Sequence, residues 1–290
     1  NASMAPNGSM QIWTGLLLRA ENEAQFAFVI GHELGHYIKR HTLKRWRDIR
    51  AKTDAAVFIG FAGALAGIPM AGTLAQAGAF ASIAAFSRDQ EREADDIGFE
   101  MFQQVGYEPR QAARIWQLLI EEAEAGDWPE PPVFFASHPP TEERQDTLER
   151  EAEELEVDGV PSSYQERYLE ATLPLRHVWL RDELRQRNFG SFEYLLERLF
   201  EATRNLGELY YFQGELYRLR DEDGDEDKAV EAYHQAVAYE DAPPETYRSL
   251  GLALWLLGQT QEARESFEQY LERAPDAEDR LMIQTHIEEL

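Results

Sequence analysis

Two histidines four residues apart, His32 and His36, with a glutamate directly after the first, constrain this chain more than any other feature. Side chains at i and i+4 share one face of an α-helix, so both imidazoles can reach a single Zn²⁺ while Glu33 stands beside the metal's remaining position as a general base. The segment must then be helical. Its surroundings agree, because Asn22 and Gln25 have capping-box spacing and Phe26, Val29, Ile30, Leu34 and Tyr37 carry a mostly apolar helical run through the motif. A tetrahedral catalytic zinc held by two histidines needs a third protein ligand from another element. The chain contains no cysteine, which leaves His, Asp and Glu.

Residues 87–98, SRDQEREADDIG, are the best source of that ligand. Ser87 and Gln90 form a second capping-box pattern and predict a helix running to about Val105. Glu91 and Asp95 fall on one face of it, and the small residues Ala94 and Gly98 permit close approach of a second helix. In a chain with 54 acidic residues such a stretch ordinarily reads as a solvated face. Its pairing with the histidine helix points to chemistry instead. His41 is different: at nine residues, or about two and a half turns, beyond His32 it is expected to face away from the metal, as a surface or second-layer histidine without a catalytic role.

The order H-E-x-x-H, then S-R-x-x-E-x-x-x-D, resembles the gluzincin metallopeptidases of the CAAX-protease, HtpX and BepA type, peptidase family M48. Residues 1–18, with their Pro6-Asn7-Gly8 turn and Thr14-Gly15-Leu16-Leu17, are similar to the family's substrate-side hairpin, and residues 137–144, SHPPTEER, to its S-H-P-P-x-x-x-R segment. The resemblance covers roughly the first half of the chain. It implies a zinc endopeptidase with one Zn²⁺ per chain on His32, His36 and Glu91, Glu33 as base, and Asp95 as a carboxylate that orients a ligand or pairs with Arg144. His138 would either stabilise the oxyanion or occupy the zinc's open position and hold the enzyme inactive. Its plainer reading is a cap for the helix that starts at Thr141. In the implied mechanism zinc polarises the scissile carbonyl and acidifies a water, and Glu33 moves the proton to the leaving amine. An edge strand at residues 10–13 would hold a protein or peptide substrate extended by backbone pairing.

At 290 residues the chain has room for two domains, and its net charge of −26 argues against a nucleic-acid partner and against electrostatic docking to anionic lipid. The lack of cysteine removes disulfides and thiol nucleophiles but does not identify a compartment. Asn1 follows no basic and apolar leader, and family members carry more catalytic domain before the hairpin, so truncation at the start is expected, with any export signal removed or not included. Residues 55–87 carry no charge. A single membrane crossing there would put His32 and Glu91 on opposite sides of a bilayer. A double crossing fails on length, since Gly67-Ile68-Pro69 leaves arms of about 14 and 17 residues, roughly 21 to 26 Å as helix against a core of about 30 Å. The run therefore reads as an apolar helical hairpin filling the core beside the zinc helices, with peripheral membrane contact as the second reading and no transmembrane helix.

Residues 157–161 (VDGVP) look like a domain boundary, and 126–140 like a proline-rich loop. Beyond them Ala229, Tyr233 and Ala236 recur as Ala263, Phe267 and Tyr270, a spacing of 34 residues and the tetratricopeptide period. Gly251 and Tyr247 open the later copy and Pro275 closes it; Gly214 and Tyr217 open the earlier one, whose turn is lengthened by acidic residues 221–227. Two copies are too few to be stable alone, so helices from 164 to 209 are expected to stack with them. The expected fold is mainly α (α+β): a zincin-like catalytic domain with a small β-hairpin at 1–158, then an α-helical tetratricopeptide-like solenoid at 159–290 that offers a surface to a protein partner. The resemblance further implies a periplasmic or outer-membrane-associated bacterial protein acting in envelope protein quality control. A reading of another class is a binding or chaperone protein whose zinc site is structural or latent.

Overall fold

The computed structural model describes residues 1–66, 87–126, 138, 141–155 and 161–290. Strands β1 (Ala2–Met4) and β2 (Met10–Ile12) pair antiparallel, with Ala2 opposite Ile12 and Met4 opposite Met10. Gly8, at φ 89°, supplies the left-handed residue their turn requires. The hairpin is shorter than the sequence suggests, because α1 (Thr14–Arg19) already begins after Trp13.

Helix α2 (Glu23–Ile38) carries the two histidines; Asn22 accepts from the Gln25 amide, whereas the Gln25 side chain turns to the Glu21 amide, so only half of a capping box forms. The chain reverses at Arg40, φ 55°, before α3 (His41–Leu65). Helix α4 (Arg88–Val105) starts at a complete Ser87–Gln90 capping box and ends at the left-handed Gly106. Helices α5 (Arg110–Ala125) and α6 (Glu142–Glu154) follow, the latter capped by the Thr141 hydroxyl. Phe28, Phe99, Phe102, Ile115, Trp116 and Leu148 form the centre of their common core. Phe28 meets Phe102 and Trp116 edge-on, with ring centroids 6.0 and 6.1 Å apart.

Helices α2 and α4 touch backbone to backbone. A Cβ on Gly35 would lie 2.9 Å from the Ala94 backbone, and one on Gly98 would lie 2.8 Å from the His32 nitrogen. Any larger side chain would drive the helices apart.

Of the uncharged run, residues 55–65 continue α3, while 67–86, including the expected dividing turn and second arm, lie outside the described residues. The described arm does not fill a core: Ala56 is buried, but Val57, Phe58, Phe61 and Leu65 are exposed. No described helix is long and apolar enough to cross a membrane. The expected loop at 126–140 likewise lies outside the described residues, apart from Gly126 and His138.

The chain divides into two compact units, Asn1–Ala123 with Trp128–Leu175 and Glu124–Asp127 with Arg176–Leu290. The division falls inside α7 (Gln165–Leu184), just past its internal Pro174. The boundary expected at 157–161 lies outside the described residues except for Pro161; Ser162 and Ser163 accept from the Glu108 and Ala24 amides of the first unit.

The second unit continues through α8 (Phe189–Glu201), α9 (Leu206–Arg220), α10 (Asp225–Val237), α11 (Glu245–Leu256), α12 (Thr260–Arg273) and α13 (Arg280–Glu289). From α8 onward each helix packs on the next. Ala229, Tyr233 and Ala236 are buried, as are their counterparts Ala263, Phe267 and Tyr270. Gly214 and Gly251 give the two rings room, since a Cβ at either would come within 2.4 Å of Tyr233 or 2.6 Å of Phe267. The acidic turn of the earlier copy is organised around a buried acid: Asp225 accepts from Arg220 Nε and Nη2, both at 2.8 Å, and from the Glu222 amide. The Arg220 contact holds its pKa at about 2.

Gly251→Ala is expected to lower the melting temperature of the helical unit in calorimetry. Overpacking costs about 1–3 kcal/mol, more than the roughly 1 kcal/mol of helix propensity gained. Adding Phe267→Leu should recover part of the loss; an unchanged or raised melting temperature in the single variant would show the contact is not tight.

Candidate metal centre

Helix α2 contributes His32, Glu33 and His36, and α4 contributes Glu91 and Asp95. His138 comes from the segment ahead of α6, and Arg144 from its first turn. One donor atom each from His32, His36, Glu91 and His138 gathers within 4.8 Å of the others, all four residues buried. His32 Nε2 is 3.1 Å from His36 Nε2, 3.2 Å from His138 Nδ1 and 3.5 Å from Glu91 Oε2. Glu91 Oε1 is 3.4 Å from His36 Nε2 and 3.2 Å from His138 Nδ1.

These separations test the fit of a metal. Ligand atoms about 2.0–2.1 Å from a tetrahedral zinc stand about 3.3–3.4 Å apart, and the observed contacts straddle that value. Neither buried Glu91 oxygen accepts a well-directed hydrogen bond, although Arg144 Nη1 lies 2.9 Å from one. Burial raises the pKa of a carboxylate, yet contacts with His138, His32 and His36 outweigh it and hold Glu91 ionised, far below the usual range. Three imidazole nitrogens and a carboxylate form a donor set that suits zinc.

Each α2 histidine is held from behind. His32 Nδ1 donates to Asp95 Oδ1 at 2.8 Å, and Arg144 grips Asp95 through Nε at 2.6 Å and Nη2 at 2.8 Å while lying 4.6 Å over the Trp116 ring. Burial opposes charge on His32, but Asp95 and then Glu91 overcome it and raise its pKa to about 9. The same guanidinium keeps Asp95 ionised against burial. His36 turns Nε2 to the cluster, so its proton sits on Nδ1 and is donated to His41 Nδ1 at 3.0 Å; the His41 proton then sits on Nε2 and is donated to Glu93 at 2.9 Å. A Lys39 hydrogen bond, followed by His41, holds Glu93 at about 2.

His41 is therefore buried against a motif histidine instead of facing away from it. The helical phase used to place it does not apply, because Arg40 breaks the helix and α3 restarts the count at His41. The available signal was Glu93, two residues past Glu91 on the same helix.

Glu33 is almost fully buried. Burial pushes its pKa up, opposed by His138 and His32, and the Met4 backbone of β1 hydrogen-bonds to it. His138 touches both parts of the centre: Nδ1 joins the donor cluster, and Nε2 lies 3.3 Å from Glu33 Oε1. It does not cap α6, since that bond runs from the Arg144 amide to Thr141 Oγ1. Beside the centre, a cavity of about 420 Å³ reaches His36 between Ala5 and Pro6 of the hairpin turn and Leu43 of α3.

His41→Ala should weaken zinc binding by about tenfold or more, measured by competition with a chromophoric chelator, and Glu93→Gln by less. Unchanged affinity in His41→Ala would show that the His41–Glu93 pair does not set the His36 ring.

The sequence profile of "Peptidase family M48" matches residues 1–152, and that of a tetratricopeptide repeat matches residues 244–277. The beta-barrel assembly-enhancing protease of Escherichia coli (strain K12) is 25% identical over 224 residues, covering 70% of this chain and 45% of that protein. Metalloprotease LoiP of the same organism is 28% identical over 163 residues, or 55% of this chain and 60% of that one. The mitochondrial metalloendopeptidase OMA1 of Schizosaccharomyces pombe is 28% identical over 158 residues, 54% and 45% respectively. The chain spans about half the length of these relatives. With the family profile matching more than half of its residues, and with the motif residues gathered on two touching helices, this chain belongs to peptidase family M48.

Proposed function

We propose that this protein is a zinc-dependent endopeptidase, with one Zn²⁺ per chain on His32, His36 and Glu91, whose centre is closed by His138 in the conformation described. The observation that carries the reading is the convergence of four buried donor atoms at zinc-ligand spacing, with Glu33 directly beside them. When bound, zinc supplies a Lewis acid for the peptide carbonyl and acidifies the attacking water.

The chain's own residues do the rest. Glu33, its pKa raised by burial, accepts the water's proton at Oε1 and returns it to the departing amine. Asp95 and Arg144 hold His32, and Glu93 with His41 holds His36, so both rings keep their tautomers through the cycle. β2, whose outer edge has no partner among the described residues, is offered to an extended substrate; Ile12 and Trp13 beside it are exposed.

The position of His138 favours latency over oxyanion stabilisation. Its Nδ1 takes the place a substrate carbonyl or water needs, and its Nε2 engages the base. Substrate admission then requires His138 to leave. By likeness to the beta-barrel assembly-enhancing proteases, the substrates are proteins of the bacterial envelope and the site of action is the periplasm or the outer membrane. The tetratricopeptide unit receives a protein partner on its surface.

Three variants test this. Glu91→Ala should lose most of its zinc, measured as metal per chain after dialysis, whereas wild type keeps about one. Glu33→Gln should retain zinc and lose cleavage of an unstructured reporter peptide by at least about a hundredfold. His138→Ala should retain zinc and cleave that peptide faster than wild type. Slower cleavage in His138→Ala would overturn latency and assign this histidine a part in the reaction.

A further inference from the structure

We propose that one face of α3 docks on an anionic lipid bilayer, with its cationic first half at the headgroups and its apolar second half in the acyl region. At 3.6 residues per turn, Leu43, Trp46, Arg47, Arg50, Val57, Phe58, Phe61 and Leu65 fall within an arc of about 120° on α3. All are exposed, Phe58 at 71%, Trp46 at 67% and Leu65 at 77%. The opposite arc holds Ala56, buried, with Arg45 and Ile49 partly buried. Apart from Ile59, which is exposed on the opposite arc, the large exposed apolar side chains of α3 thus form one stripe turned away from the protein. A single acid, Asp54, shares it, at the junction of its two halves.

Charge identifies the occupant. Five Lys and Arg residues and one Asp lie in the first half of α3, between His41 and Lys52, in a chain whose net charge is −26. The acidic character read from composition is therefore reversed at the start of α3, and Lys44, Arg47 and Arg50 are exposed there. An acidic surface is what such a cluster attracts. The next eleven residues of the helix, 55–65, are uncharged and span about 16 Å, about half of a hydrocarbon core of about 30 Å. That depth suits insertion into one leaflet. Val57, Phe58 and Ile59 are consecutive and all exposed, so the apolar surface of this part of the helix extends beyond the stripe on one side. Trp46, exposed among Lys44, Arg47 and Arg50, has the amphipathic ring favoured at headgroup level in a membrane interface.

The test is flotation of the full chain with vesicles of phosphatidylcholine alone or with 30% phosphatidylglycerol. Binding should be at least about fivefold greater to the anionic vesicles and should fall with added salt. Phe58→Ser/Phe61→Ser should reduce it about tenfold, and Lys44→Gln/Arg47→Gln/Arg50→Gln should remove the preference for phosphatidylglycerol. Circular dichroism and zinc content check that both variants fold. The absence of cysteine provides a second readout: an environment-sensitive dye on Ala62→Cys should shift to the blue with anionic vesicles, and one on Glu262→Cys should not. Wild type remaining with the soluble fraction, or variants floating as wild type does, would overturn the proposal. So would concentration-dependent dimerisation abolished by Phe58→Ser/Phe61→Ser without vesicle binding, which would assign the face to a second copy of the chain.

Discussion

Everything at the centre depends on how closely α2 and α4 approach. Gly31 and Gly35 on one helix meet Ala94 and Gly98 on the other with no side chain between, and at Gly35 and Gly98 a single added methyl would collide with backbone. This contact brings two carboxylates of α4, Glu91 and Asp95, against two imidazoles of α2. Glu is long enough to reach the donor cluster, and the shorter Asp reaches the back of His32. Wider spacing would separate the ligands and leave buried charges without partners, a costly state in an apolar interior.

The close contact also concentrates ionisable groups where water is scarce. Glu33, Glu91 and Asp95 are buried together with four histidines and one arginine. They are compatible because each is assigned a counterpart: Asp95 has Arg144 and His32, Glu91 has the imidazole nitrogens and Arg144, and Glu33 has His138 and the Met4 backbone. A divalent cation bound to His32, His36 and Glu91 would complete that balance without rearranging the helices. His138 is the one donor that comes from neither α2 nor α4, and so the one that can withdraw while the helix pair stays intact.

Much of the centre was legible because helical spacing is local. Four residues separate His32 from His36 and Glu91 from Asp95, and the caps at Asn22, Ser87 and Thr141 mark where their helices begin. The small residues Ala94 and Gly98 announced the close approach, and the repeat showed itself as a 34-residue recurrence of alanine and aromatic positions whose side chains are buried. Phase does not carry across a break: the histidine helix ends at Ile38, and the left-handed Arg40 turns His41 back toward His36. Composition is a poor guide to burial here: residues 55–65 are apolar enough for a core, yet among the described helices α3 packs substantially on α2 alone. Asp225 errs the other way, a buried acid inside a run that composition reads as solvated.

The central claim is a zinc held between α2 and α4 and closed by His138, and zinc K-edge absorption spectroscopy on the metal-loaded protein tests it most directly. Four nitrogen or oxygen neighbours at about 2.0–2.1 Å, with the multiple-scattering signature of three imidazoles that falls to two in His138→Ala, is the result expected. A spectrum showing two imidazoles in both proteins would contradict closure by His138, and six oxygen-dominated neighbours would contradict the site itself.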